Sequence, residues 1–250
     1  MPLDAGVEHP FPAAKAYSRA DRPTARRLAT LNRPPATPAA PHLTAHELAC
    51  KRGTRPLFHG LELDVGPGRM VWIRGRNGRG KTSLLRLAAG LAVPEHGALL
   101  REGVPVRRSE SHARELVFIG HHNALKEDLT AAEALRFLLR IHRRPHAPGI
   151  VEQALERLGI ASRRNAPVRT LSQGQRRRVA LSRLPVEVAL PAPSLWLLDE
   201  PYDALDTDGV RALDVLFAEH LARGGSLMLT SHLPITRDLQ PVEVDLDGYV

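Results

Sequence analysis

The stretch Gly75-Arg-Asn-Gly-Arg-Gly80-Lys81-Thr82, followed by Ser83, sets three glycines, a lysine and a hydroxyl at the spacing of a phosphate-binding loop. Glycine lets backbone N–H groups curl around phosphate oxygens, and a helix starting at the loop adds a favourable field. Arg76, Asn77, Gly78 and Arg79 complete the cradle. Lys81 is expected to reach the β- and γ-phosphates of a nucleotide, and Thr82 to offer its hydroxyl to Mg²⁺. A second group lies far along the chain. Leu195-Trp-Leu-Leu198-Asp199-Glu200 is an apolar run that ends in two acids. By itself such a run is a strand meeting a solvated turn. Beside a phosphate loop, Asp199 reads as a metal-shell carboxylate and Glu200 as the base that orients and deprotonates an attacking water.

These groups need a scaffold that brings strand ends together. Leu43–Ala49 and Leu57–Val65 read as strands around a turn at Arg52–Arg55, and Met70–Ile73 as a short buried strand before the loop. Helical spacing predicts helices over Thr82–Leu91, Leu129–His142, Ile150–Leu158, Ser172–Leu184 and Asp208–Ala222, with Ser172 as a polar cap. Leu195–Leu198 and Ser226–Thr230 are further strands. Strands alternating with helices predict an α/β fold with a parallel sheet. The helix-rich stretch of about 124–185 reads as an inserted helical subdomain.

With 250 residues, 43% hydrophobic and 25% charged, the chain can bury a full core. No apolar run approaches the roughly 20 residues that span a bilayer, so work at a membrane requires docking on another subunit. The net charge of +8 is carried mostly by arginine. Without interleaved aromatic residues it reads as scattered surface charge, and no nucleic-acid partner is expected. Cys50 is the sole cysteine, which excludes an internal disulfide and fits a reducing compartment. Residues 1–41 are broken by Pro10, Pro12, Pro23, Pro34, Pro35, Pro38 and Pro41 and are expected to be disordered, leaving 42–250 as the folded domain.

Three further motifs give the chain a family likeness. Leu171-Ser172-Gln173-Gly174-Gln175 resembles the signature motif of ABC ATPases, Ala204-Leu205-Asp206 their D-loop, and Thr230-Ser231-His232 their switch histidine. Together with the phosphate loop and the acidic strand end, these stand in that family's order. The resemblance implies a P-loop nucleotide-binding domain with a parallel-sheet core, an antiparallel β subdomain and a helical insertion. It implies ATP and Mg²⁺ as cofactors, with Lys81, Glu200 and His232 catalytic. It also implies a head-to-tail homodimer, in which Ser172, Gly174 and Gln175 face ATP held by the partner and Asp206 couples the two sites.

A narrower resemblance is to the ATP-binding subunits of the cytochrome c maturation haem exporter. It is carried by Ile119-Gly120-His121-His122-Asn123-Ala124-Leu125-Lys126, by Pro167-Val-Arg-Thr-Leu-Ser172, and by Asp199-Glu-Pro-Tyr-Asp-Ala-Leu-Asp206. Read alone, His121 at a strand end is either a turn residue or a site residue. The resemblance puts it in the Q-loop, where it would touch the Mg²⁺ shell and relay nucleotide state. Arg52 falls where relatives stack an aromatic ring on adenine, and a guanidinium can stack there too. Pro185, in a proline-rich segment reaching Pro193, predicts that the helix after the signature ends early and that a loop bridges to Ser194.

The expected function is ATP hydrolysis that powers haem export or handover in cytochrome c biogenesis. The chain would act with integral membrane subunits, as a peripheral protein on the cytoplasmic face of the inner membrane. Another ABC exporter, or a nucleotide-gated module with impaired hydrolysis, is the alternative. The twelve histidines lack a Cys-x-x-Cys-His context, so direct haem ligation is not expected.

Overall fold

A computed structural model describes residues 43–250; the expectation for residues 1–41 lies outside them. Two sheets organise the described residues. Strands β1 (Leu43–Arg52) and β2 (Arg55–Val65) form an antiparallel hairpin, and β4 (His96–Arg101) and β5 (Val104–Pro105) extend it in the order β2-β1-β4-β5. The second sheet is parallel. It contains β3 (Met70–Arg74), β6 (Leu116–Ile119), β7 (Leu195–Leu198), β8 (Ser226–Thr230) and β9 (Val242–Asp245), in the order β6-β7-β8-β3-β9.

The parallel strands are short apolar runs because both faces of that sheet are covered. Side chains alternate between faces along a strand. Met70, Trp72, Trp196, Leu198, Leu227 and Leu229 therefore join one buried cluster, with the helices. Val71, Ile73, Leu195, Leu197 and Met228 join the other, with β1, β2 and the helix that follows the phosphate loop.

That helix, α1 (Lys81–Ala88), buries Leu84, Leu85, Leu87 and Ala88. It stops three residues short of the expected Leu91. Gly90 turns into the left-handed region at φ +71°, a common way to end a helix, and Leu91 is left exposed. A short helix α2 (Glu110–Arg114) precedes β6. Between β6 and β7 come α3 (Ala131–Ile141), α4 (Pro148–Arg157), α5 (Gln173–Leu181) and α6 (Arg183–Val188); α7 (Thr207–Ala222) precedes β8. Thr130 and Glu133 close a reciprocal cap on α3, and Ser172 with Gln175 does the same on α5.

The expectation for Pro185 needs correction. The signature helix does end early, at Leu181, but no loop follows at once. Pro185 is the third residue of α6, within the first turn, where a missing N–H leaves no intrahelical bond unmade. The segment is also tied down, because the buried Glu187 Oε1 accepts from Arg144 Nε at 2.6 Å. Only the stretch 189–194 is irregular. Strands β4 and β9 were not foreseen. His96-Gly-Ala-Leu-Leu-Arg101 lacks an apolar alternation and Val242-Glu-Val-Asp245 alternates over only four residues, and their neighbours β1 and β3 supply the register.

Candidate functional site

In a parallel sheet, functional groups gather outside the carboxyl ends of the strands. Here β8 lies between β3 and β7, so the ends of three strands meet: Arg74 leading to the phosphate loop, Leu198 leading to Asp199, and Thr230 leading to His232. Above them opens a cavity of about 970 Å³. The phosphate loop lines it with Asn77, Gly78, Gly80, Lys81, Thr82 and Ser83. Arg52, His121, Asp199, Glu200 and His232 line it from elsewhere in the chain.

The loop's shape depends on glycine. Gly80 sits at φ +102°, and a Cβ there would approach Leu57 Cβ to 3.1 Å and the Phe58 ring to 3.2 Å. Gly80 is also the cap of α1 and makes no side-chain capping bond, so the first amides of the helix are left for an anion. The Lys81 ammonium donates to the Gly75 carbonyl at 2.8 Å across the base of the loop. Arg76 and Arg79 point away from the cavity, towards the C-terminal turn. Asp247 Oδ1 accepts from Arg79 Nε at 2.6 Å, and Oδ2 accepts from the Arg76 backbone N–H at 3.1 Å. These contacts hold the Asp247 carboxyl below its ordinary range despite the opposing cost of desolvation. Arg76, Arg79 and Gly75 thus shape the cradle from outside it.

Thr82 and Asp199 meet directly. The Thr82 hydroxyl donates to Asp199 Oδ2 at 2.8 Å, and the Thr230 hydroxyl donates to Asp199 Oδ1 at 2.8 Å. The Thr230 oxygen in turn accepts from the Glu200 backbone N–H at 2.8 Å. Asp199 is 3% exposed, so both of its oxygens are fixed in a dry position facing the loop. Glu200 takes the left-handed backbone conformation, φ +47°, which turns its side chain out of the strand direction. Its Oε2 accepts from the His232 backbone N–H at 3.0 Å. Its Oε1 is buried and makes no hydrogen bond, and His232 Nε2 stands 3.5 Å away. The His232 ring is 62% exposed at the cavity mouth.

The signature residues lie apart from this cavity. Ser172 caps α5 through its bond from the Gln175 N–H, and Gln175 Oε1 accepts from the Ser172 N–H at 3.0 Å. A Cβ on Gly174 would fall 2.3 Å from the Ala204 carbonyl oxygen, so this helix start and the turn after Glu200 touch backbone to backbone. Asp206 caps α7 by accepting from the Gly209 N–H at 2.8 Å and also pairs with Arg178. Ser172, Gly174, Gln175 and Asp206 are thus brought to one another, and not to the phosphate loop of their own chain.

Two contributors went unnoticed in the sequence. Thr230 stands two residues before His232, and Arg177 lies in the signature helix, outside every motif singled out above. The position of Thr230 at the end of a strand was an available signal. For Arg177 none existed, because its partners come from segments distant in sequence.

Residues 58–203 match the family described as ABC transporter. The chain is 43% identical over 201 residues to the cytochrome c biogenesis ATP-binding export protein CcmA of Pseudomonas syringae pv. tomato, covering 80% of this chain and 92% of that protein. It is 44% identical over 209 residues to the protein of the same name from Aromatoleum aromaticum, covering 83% and 96%. Among solved structures, a putative ABC transporter ATP-binding protein from Pyrococcus furiosus superposes with a TM-score of 0.70 at 22% identity, over 83% of this chain and 98% of that one, which speaks to the fold alone. The chain belongs to the ABC transporter family as an ATP-binding, ATP-hydrolysing subunit, in the branch of the cytochrome c biogenesis ATP-binding export proteins.

Proposed function

We propose that Glu200 is the general base of ATP hydrolysis in this subunit and that the energy serves haem export or handover during cytochrome c biogenesis. The observation that carries the catalytic assignment is Glu200 Oε1, buried and without a hydrogen bond, at the edge of the phosphate cradle. Its partner oxygen is held by the His232 N–H, so the carboxylate has one oxygen fixed and one whose lone pairs no protein hydrogen bond uses. Glu200 would take the proton as the water oxygen attacks the γ-phosphorus, and the bond to the β-phosphate oxygen would break to give ADP and phosphate. The His232 ring, next to Glu200, is placed to hold the γ-phosphate by a hydrogen bond. Lys81 and the α1 amides bind the phosphates, and Arg52 stacks at the base end.

Thr82 Oγ1 and Asp199 Oδ2 are hard oxygen donors side by side on the cavity wall, a set that suits Mg²⁺. When bound, Mg²⁺ neutralises charge developing on the phosphate oxygens. His121, which lines the same cavity, is the third residue proposed for that shell.

Residues Ser172, Gly174, Gln175 and Asp206 would complete the site of a second copy in an ATP-dependent head-to-tail dimer. None of the four lines the cavity of the chain's own phosphate loop, which supports that reading. Among the described residues no helix is long and apolar enough to cross a membrane. The cavity continues past His121 to exposed Leu91, Phe137 and Ile141, an apolar rim suited to an integral membrane subunit at the cytoplasmic face of the inner membrane. The relatives are named for cytochrome c biogenesis, which supports the same process here. Haem would be bound by the membrane partners and not by this chain.

The test is affinity purification of the tagged chain from membranes of its host, with partners identified by mass spectrometry. Recovery of cytochrome c maturation membrane subunits, with ATP-dependent haem transfer by the complex, is expected. Recovery of a different permease would keep the ATPase and overturn the haem assignment.

A further inference from the structure

Arg177 sits on α5, on the face opposite the solvent, and is 3% exposed. A buried charge is tolerated only where its donors are satisfied. Its guanidinium has five N–H groups, and each has an acceptor. Nε donates to the Pro201 carbonyl at 3.4 Å. One terminal nitrogen donates to the Gly120 carbonyl at 2.9 Å and to Asn123 Oδ1 at 3.1 Å. The other donates to the carbonyls of Asp199 at 2.8 Å and Glu200 at 2.9 Å.

The acceptors belong to two segments. One is 199–201, which holds the metal-side and base carboxylates. The other is 120–123, which holds His121. Two of the five bonds fix the carbonyls on either side of the Glu200 α-carbon's left-handed turn, a backbone state that a glutamate rarely adopts. Burial lowers the Arg177 pKa to about 10, opposed by the carboxylates of Asp203, Asp199 and Glu200, so the side chain remains charged at neutral pH.

We propose that Arg177 is a positioning residue for hydrolysis: its saturated guanidinium holds the Glu200 peptide so that Oε1 faces the phosphate cradle, and it ties the His121 segment to the same anchor. A displacement of residues 120–123 would then reach the base through one side chain. The proposal rests on Glu200 being the general base.

Arg177→Lys keeps the charge but supplies three donors in place of five. On the full chain, kcat for ATP is expected to fall about 100-fold, the scale of a misplaced catalytic group. KM, and the Kd for a fluorescent ATP analogue, should stay within about threefold, because the phosphate loop is untouched. Asn123→Ala removes one acceptor and leaves every backbone carbonyl in place. It should lower kcat about 3- to 10-fold, again without a change in Kd or thermal midpoint. A wild-type kcat in Arg177→Lys, or a Kd that worsens in step with kcat, overturns the proposal. Should Arg177→Lys fail to fold, Asn123→Ala decides alone, and an unchanged kcat there overturns it. Glu200→Gln run in parallel separates the two ideas. Full turnover in Glu200→Gln sinks the general-base reading, whereas an inactive Glu200→Gln beside a normal Arg177→Lys sinks only the role of Arg177.

Discussion

Thr82 and Asp199 stand 117 residues apart in the chain and share a hydrogen bond of 2.8 Å. The bond joins the first turn of α1 to the end of β7, across β8, whose Thr230 supplies the second contact to the same carboxylate. Phosphate cradle and acidic strand end are thus one unit held by hydroxyl groups. Both carboxylate oxygens are held by the chain's own hydroxyl groups, which reduces the reorganisation that nucleotide binding requires.

Breaking this contact should weaken the response to Mg²⁺. Hydrogen bonds to a charged group contribute about 1.5–3 kcal/mol, so Thr82→Val should reduce the Mg²⁺-dependent gain in ATP affinity by about 10- to 100-fold. Titration of a fluorescent ATP analogue with and without Mg²⁺ measures this. Binding in the absence of Mg²⁺ should change little.

Glu200→Gln preserves the size of the side chain and its contact with the His232 N–H but removes the base. Turnover should fall about 100-fold or more, the usual contribution of a positioned general base. Nucleotide affinity should remain near wild type. Phosphate release under saturating ATP, beside equilibrium binding, distinguishes this from a loss of binding.

Gly174→Ala tests the close approach of α5 to the turn after Glu200. The added methyl would fall 2.3 Å from the Ala204 carbonyl oxygen, and backbone on both sides has little freedom to yield. Overpacking of this kind costs about 1–3 kcal/mol, and urea denaturation without nucleotide should show the loss. An unchanged midpoint would mean that the two segments separate at no cost.

His220 links stability to pH. Its ring stacks on Trp196 with centroids 3.7 Å apart, and Nε2 donates to the Ser226 carbonyl at 3.2 Å. Burial is the main cause that lowers its pKa from 6.5 to about 4, so the folded chain keeps it neutral. Between those values the unfolded chain binds the extra proton. Stability from this group is therefore full above pH 6.5 and is lost as pH falls towards 4, by about 2 kcal/mol at pH 5. Thermal midpoints from pH 7.5 to 4.5 should fall less steeply in His220→Phe than in wild type.

The phosphate loop, Asp199 and Glu200 were legible in the chain as candidate site residues because each lies in a contiguous run whose local geometry follows from its own residues, whereas His232 was singled out by the family resemblance. Glycines at Gly75, Gly78 and Gly80 dictate a loop, and apolar residues before Asp199 dictate a buried strand, wherever the rest of the chain goes. The parallel α/β class followed from the alternation of such runs. Helix ends were less legible: α1 stops at Ala88 because Gly90 turns, and Pro185 sits inside α6 because its fixed ring suits a first turn as well as a break. Tertiary structure alone decided the rest. That Thr230 would touch Asp199 depends on β8 lying between β3 and β7, an order no local pattern encodes. That Arg177 would be buried contradicts its residue type, and only the carbonyls gathered from 120 and 199–201 offset the cost. That Arg79 would face Asp247 and not the cavity depends on β9 bringing the last turn alongside the loop. Contacts made within a few residues are set by covalent connection and backbone preference. Contacts such as these, across 22 to 168 residues, are set by which surfaces the whole chain can bury at once.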